Sequence, residues 1–335
     1  MYVLNAATTN NVETDSLLVF PTTAKGASTP SSTLALPSGF EAYSVATAPD
    51  GKIYVGGEFG DDPSEIMVFA AGATGSASPL AVYTGGTPGT FDYADFMTIN
   101  DQGQLFIFSD DESIEVYSAN AASGDLPSQY ITTFQANDQF SYGIGADSAG
   151  NIYVNDIDGG VIEEFAARAT GAAVPSATIT GTNTGSFLYL ESITADAAGD
   201  ITVAHYNPAD DPFGDFTRLS RSQRADHRKN LRRAMSRPRP QTTLPAAPTA
   251  IYTFAAGATG NPTPVTSITG SATTVNEPES LTLDALNNIY YVDFEGGTLT
   301  MMKFPAGTTG NVAPATSVTS TGYTGPDWVA EIAVF

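Results

Sequence analysis

A phenylalanine or tyrosine followed ten residues later by a proline recurs along this chain at a nearly fixed spacing, and no other feature constrains the fold as tightly. The pairs are Phe20 and Pro30, Phe69 and Pro79, Tyr117 and Pro127, Phe165 and Pro175, Phe254 and Pro264, Phe304 and Pro314. Successive aromatics lie 49, 48, 48, 89 and 50 residues apart. Self-similarity at such a period marks a repeat architecture, in which each unit buries its apolar face only by stacking on its neighbours. Six units and one insertion in the fourth interval account for the 335 residues, so the chain reads as a single domain over 1–335.

Each unit carries four short apolar stretches separated by Gly, Pro, Asn and Asp. In the clearest copy, Tyr142–Asp147 leads through Ser-Ala-Gly-Asn into Ile152–Asp156, then Val161–Phe165, then Ala177–Thr180. Short β-branched and aromatic runs with turn signals about every ten residues predict four antiparallel strands per unit. In the Asp-x-x-Gly-Asn link, Asp can bond the turn backbone and Gly can supply a positive φ. A glycine also stands six residues after the aromatic in five copies, as Gly26, Gly75, Gly171, Gly260 and Gly310, with Ser123 there in the Tyr117 copy. Six four-stranded sheets set radially make an all-β, six-bladed β-propeller. The ends predict how the ring closes. Met1–Ala6 and Leu17–Phe20 lack an inner partner strand, and a run near Trp328–Phe335 supplies one, so a single blade is shared between the N- and C-terminal strands.

The element Gly150-Asn-Ile-Tyr-Val154, with variants at 51–55, 103–107, 199–203 and 287–291, followed by a strand ending in Phe, resembles the NHL-type repeat of bacterial six-bladed propellers. The resemblance covers nearly the whole chain outside 209–248. It implies the propeller fold. For function it leaves binders, scaffolds, lyases and lactonases open, because one fold hosts many activities.

Charge divides the chain unevenly. The formal net charge is −23, yet nine of the thirteen basic residues fall within 209–248. The rest of the chain is therefore strongly acidic and repels phosphate backbones. Within the insertion, Arg218 to Pro240 has few hydrophobes and ends in Arg-Pro-Arg-Pro, which predicts a disordered or partly helical basic loop. An anion-binding arm, a segment lying across the acidic body and an accidental insertion without selected function all remain open for it. Nucleic-acid contact would run only through 216–240. The absence of cysteine excludes disulfides and thiolate metal sites. No apolar run of eighteen residues predicts a membrane span, and Met1–Ala6 reads as a strand rather than a signal segment.

Propellers hold ligands at the mouth of the central channel, where the inner strands begin. Aligning the units on their hairpins places Tyr43, Asp95, Tyr142, Glu191, Glu279 and Asp327 at equivalent positions there. Hairpin register then sets Tyr142 opposite Asp156, Glu191 opposite His205 and Glu279 opposite Asp293, with Asp95 facing Ser109. Carboxylates on separate strands can hold Ca²⁺ or Mg²⁺, and Glu191, Glu279 and Asp293 are the metal-ligand candidates. Gluconolactonase and regucalcin propellers, which resemble this chain in fold, use a central divalent cation, although their ligands do not match here residue by residue. His205 with Glu191 is the one candidate acid–base pair. No nucleophile elbow, phosphate loop or zinc-type His spacing occurs. The leading expectation is a non-enzymatic binding module for a small molecule, glycan or protein, working as a monomer. The alternative is a metal-assisted lyase or lactonase. Blades rich in Thr, Ser, Gly and acid with very little Lys suggest an extracellular, periplasmic or cell-envelope protein.

Overall fold

The computed structural model describes the chain apart from residues 10, 11, 61, 86–90, 92, 93, 95, 110–112, 120, 133–142, 157–159, 183–186, 188, 189, 208–247, 277, 296, 297 and 324–330, and apart from the side chains of 8, 9, 156, 294 and 295. The described residues form strands and turns without helix, so none offers a helix long and apolar enough to cross a membrane. Six four-stranded antiparallel sheets stand in a ring, a six-bladed β-propeller. Blade two runs outward through Phe40–Thr47, Ile53–Phe59, Glu65–Phe69 and Ala81–Thr84. Blade three follows with Phe96–Ile99, Leu105–Phe108, Ile114–Tyr117 and Gln129–Ile131. Blade four comprises Ile144–Ala146, Ile152–Asp156, Val161–Phe165 and Ala177–Ile179. Blade five comprises Leu190–Ala195, Ile201–His205, Ala250–Phe254 and Thr266–Ile268. Blade six comprises Pro278–Leu283, Ile289–Glu295, Thr298–Phe304 and Thr316–Ser320.

Blade one closes the ring in the way the sequence predicts. Its innermost strand is Ile332–Ala333, and the N-terminal segment supplies Tyr2–Asn5, Ser16–Val19 and Ser32–Ala35. Tyr2 pairs with Ala333 and Val3 with Ile332. The Leu4 amide extends the ladder by donating to the Glu331 carbonyl at 3.0 Å.

Alternation along each strand explains where the core lies. Successive side chains point to opposite sides of a sheet, and each blade has a neighbour on both sides. Ile152 and Val154 pack with Phe106 and Val116 of blade three, while Tyr153 between them joins Ile193 and Tyr252 of blade five. The same rule at each seam yields six inter-blade clusters rather than one central core. Strands buried on both faces read as continuous apolar runs, as in Ile-Tyr-Val.

The hairpin acids are structural. Asp147 accepts the Asn151 amide and side-chain N–H groups, each at 2.8 Å, and the Tyr153 hydroxyl at 3.2 Å. The Asn151 side-chain oxygen then accepts from Ala167 in the outer turn at 2.9 Å. Asp284, Asn288, Tyr290 and Ala306 repeat the relay in blade six. Asn287 holds the left-handed turn position there, φ 59°, and its side-chain amide donates to Asp196 of blade five at 2.6 Å.

The glycine six residues after each aromatic is a seam residue. Gly260, at φ 67°, donates to Thr178 at 2.7 Å and accepts from Thr180 at 2.6 Å, so blade five grips the outer edge of blade four. Parallel bridges of the same kind join Leu34 to Gly75, Ile131 to Gly171 and Ile268 to Gly310. At the closing seam the contact lengthens into a parallel strand, with Gly26, Ala27 and Ser28 beside Val318, Thr319 and Ser320. Where Ser123 replaces glycine, its hydroxyl accepts from Val82 at 3.1 Å, and Tyr83 donates to the Ala121 carbonyl at 2.9 Å.

Nearly all of the 209–248 insertion lies outside the described residues. Its base is closed: the Asn207 amide donates to the Thr249 hydroxyl at 2.9 Å, and the Pro248 carbonyl accepts the Tyr252 hydroxyl at 3.2 Å.

Candidate functional site

In an antiparallel four-stranded blade, the two hairpin turns fall on one face of the ring. The connection between strands two and three, and the link into the next blade, fall on the other. The inner strands begin on this second face, so the channel mouth is assembled from their first residues and from the ends of the second strands.

Among the described residues, three innermost strands carry a β-bulge at the same repeat position. The register skips between Ala42 and Ser44, between Leu190 and Ser192, and between Pro278 and Ser280. The extra residues are Tyr43, Glu191 and Glu279, and each side chain is partly exposed. A bulge leaves its extra residue out of the ladder and re-aims its side chain. This overturns two expected pairings: Leu190, not Glu191, stands across from His205, and Pro278, not Glu279, stands across from Asp293. A local hairpin reading counts residues evenly, so it cannot detect the added one.

The residue after each bulge is a serine that ties its blade to the next. Ser44 donates to the Ala94 carbonyl at 2.6 Å, Ser192 accepts from the Leu281 amide at 3.1 Å, and Ser280 accepts from the Ile332 amide at 3.3 Å. Sequence reasoning missed these serines, although the recurrence Tyr43-Ser44, Glu191-Ser192, Glu279-Ser280 carried the signal. It also missed Asp15, a buried acid that accepts from Ala7 at 2.7 Å and from Ala42 at 2.8 Å. Asp15 thereby anchors the residue just before the Tyr43 bulge. Ser64 occupies the same position one blade on and accepts from Ala94 at 3.3 Å.

The ends of the second strands are more enclosed than the bulges. His205 is buried, its Nδ1 lies 3.0 Å from the Pro248 carbonyl, and Phe187 and Tyr252 pack around the ring with centroids at 5.6 and 6.4 Å. The imidazole therefore serves the base of the insertion and presents no open surface to a substrate. Asp293 is buried as well and accepts the Tyr291 hydroxyl at 2.8 Å. Asp156 pairs with Val161 at its strand end, and its side chain is outside the described set. Asp95, Tyr142 and Asp327 fall on residues outside the described set. Counting back from Ile332, Glu331 takes the position of Ser44 in the closing blade.

Among the described residues no three His, Asp or Glu side chains converge as a metal-holding group, and Glu191, Glu279 and Asp293 do not form one. Glu331 precedes the closing strand Ile332–Ala333. Burial within the protein pushes its carboxyl up to about 7, opposed by the hydrogen bond from Ser280 at 3.2 Å. The described inner-strand bulges thus carry one phenol and two carboxyls, each partly exposed.

No family model matches this chain, and no curated protein matches it. Its fold is similar to that of a protein of unknown function from Bacteroides caccae, known from a crystal structure. The two share 11% identity and a TM-score of 0.56 over 99% of this chain and 97% of the other. At that identity the likeness extends to the fold alone.

Proposed function

We propose that this chain is a non-enzymatic binding module, an NHL-like propeller that takes a small molecule, glycan or protein at its channel mouth. The observation that supports the reading is the repeated bulge. Among the described residues, three blades carry an extra residue at one position, and each time a side chain able to hydrogen-bond, Tyr43, Glu191 or Glu279, is partly exposed. Rigid strands hold such groups more accurately than loops do. The imidazole of His205, which an acid–base mechanism would need, is buried against Pro248 and aromatic rings. In this reading the protein works outside the cytoplasm, and cell fractionation checks that part separately.

Calorimetric titration with a panel of oligosaccharides, basic peptides and the chlorides of calcium and magnesium tests the proposal. Tyr43→Ala and Glu279→Gln should each weaken binding of a hit about tenfold, the loss of roughly one good hydrogen bond, with melting temperature unchanged. Hits that bind both variants as tightly as the parent would remove the mouth as the site. Saturable calcium binding abolished by Glu279→Gln would favour the metal-assisted alternative instead.

A further inference from the structure

Glu331 sits where the two ends of the chain meet. Its position is that of Ser44, Ser192 and Ser280 in three other blades, with Phe96 and Gly143 in the remaining two, so it is the one acid among six equivalents. Its carbonyl accepts from Leu4 at 3.0 Å, which fastens the closing strand to the N-terminal one. Its carboxyl accepts from Ser280, whose hydroxyl oxygen also accepts from Ile332 at 3.3 Å. One serine of blade six thus holds both the side chain and the backbone of a closing strand only two residues long.

Four elements pack on that strand: Tyr2–Asn5, Phe40–Thr47, Pro278–Leu283 and Ile289–Glu295. Their carboxyls are Glu41, Glu279, Asp293 and Glu295, and their phenols are those of Tyr2, Tyr43, Tyr290 and Tyr291. None of the four carries Lys, Arg or His. The amino group of Met1, farther along the first strand, donates to the Phe20 carbonyl. Residue 331 is half-buried, and the loss of water around its carboxyl favours the neutral form against the opposing bond from Ser280.

We propose that closure of the ring is proton-linked through Glu331: the C-terminal strand docks most tightly with this carboxyl neutral and loosens as it ionises. The sign follows from the two states. An undocked carboxyl titrates near its ordinary value of 4.5, whereas the docked one holds its proton up to about 7. Below the lower value both states are protonated and closure carries no penalty. As pH rises between the two values, only the undocked state releases its proton, so closure weakens. Above the upper value the full penalty applies, about 300-fold in the closure equilibrium.

The test is amide hydrogen exchange of Tyr2–Leu4 and Ile332–Val334 from pH 5 to 8.5, corrected for intrinsic exchange, with thermal melts in parallel. In the parent chain, protection of these amides should fall by up to about 70-fold across that range, which begins above the undocked value. Glu331→Gln should remove the slope, and Asp101→Asn, at an exposed hairpin, should leave it. Should Glu331→Gln fail to fold, Glu331→Ser restores the residue found at this position in three other blades and decides the matter. A parent protein with flat protection, or either Glu331 variant with the parental slope, would overturn the proposal.

Discussion

On the face that carries the hairpin turns, blades repeat one another's bonds. Asp147 and Asp284 hold the same three partner groups, and Gly75, Gly171, Gly260 and Gly310 each grip the preceding blade in the same way. On the mouth face, equivalent positions do different things. Asp15 clamps two backbone amides, Ser64 links Gly57 to Ala94, and Thr249 closes the base of an insertion. Every turn on the first face must join two adjacent strands tightly and also meet the neighbouring blade, which leaves few residues that fit. Connections on the second face meet those demands with different residues and different lengths, as loops on a rigid scaffold do.

If that contrast is sound, substitutions on the turn face should cost stability. The largest loss is expected for Asp147→Ala, which removes a buried acceptor of three hydrogen bonds. About 3 kcal/mol should disappear in urea denaturation, since bonds to a charged group are worth roughly 1.5–3 kcal/mol each before compensation. A loss below about 1 kcal/mol would mean that the hairpin relay is dispensable.

Gly260→Val sharpens the comparison at a seam. Nothing lies within 4 Å of a Cβ added there, so the cost is conformational rather than a clash. A β-branched residue at φ 67° should destabilise by about 2 kcal/mol. The same denaturation curve reads it, and an unchanged midpoint would show that the left-handed turn is not required.

The smallest effect should come from the mouth face. Replacing 209–247 with a short Gly-Asn link keeps Asn207, Pro248 and Thr249, whose contacts already bring the ends together. Loop length acts on stability only logarithmically, so the change should stay within about 1 kcal/mol. Cooperative unfolding at a much lower temperature would mean that the insertion is part of the folded ring.

The period of about 49 residues, four strands per unit, six blades and closure by the C-terminal strand could all be read without coordinates. Each depends on local signals: apolar alternation, Asp-x-x-Gly-Asn turns, and an N-terminal pair of strands lacking its inner neighbour. The recurring glycine was visible too, but as a turn. That it bridges blades follows only from the position of the next edge. The mouth was less legible. Even counting along the hairpins set Glu191 across from His205 and Glu279 across from Asp293. The bulges move Leu190 and Pro278 into those places. Residues far apart in the chain stabilise that arrangement: Ser192 bonds Leu281, Ser280 bonds Ile332, and Asp15 bonds Ala42. Sequence by itself determined the repeat, because hairpins and alternation are properties of neighbouring residues. Tertiary structure decided the inner-strand register, because a bulge persists only where bonds from the next blade satisfy the backbone and serine groups around it.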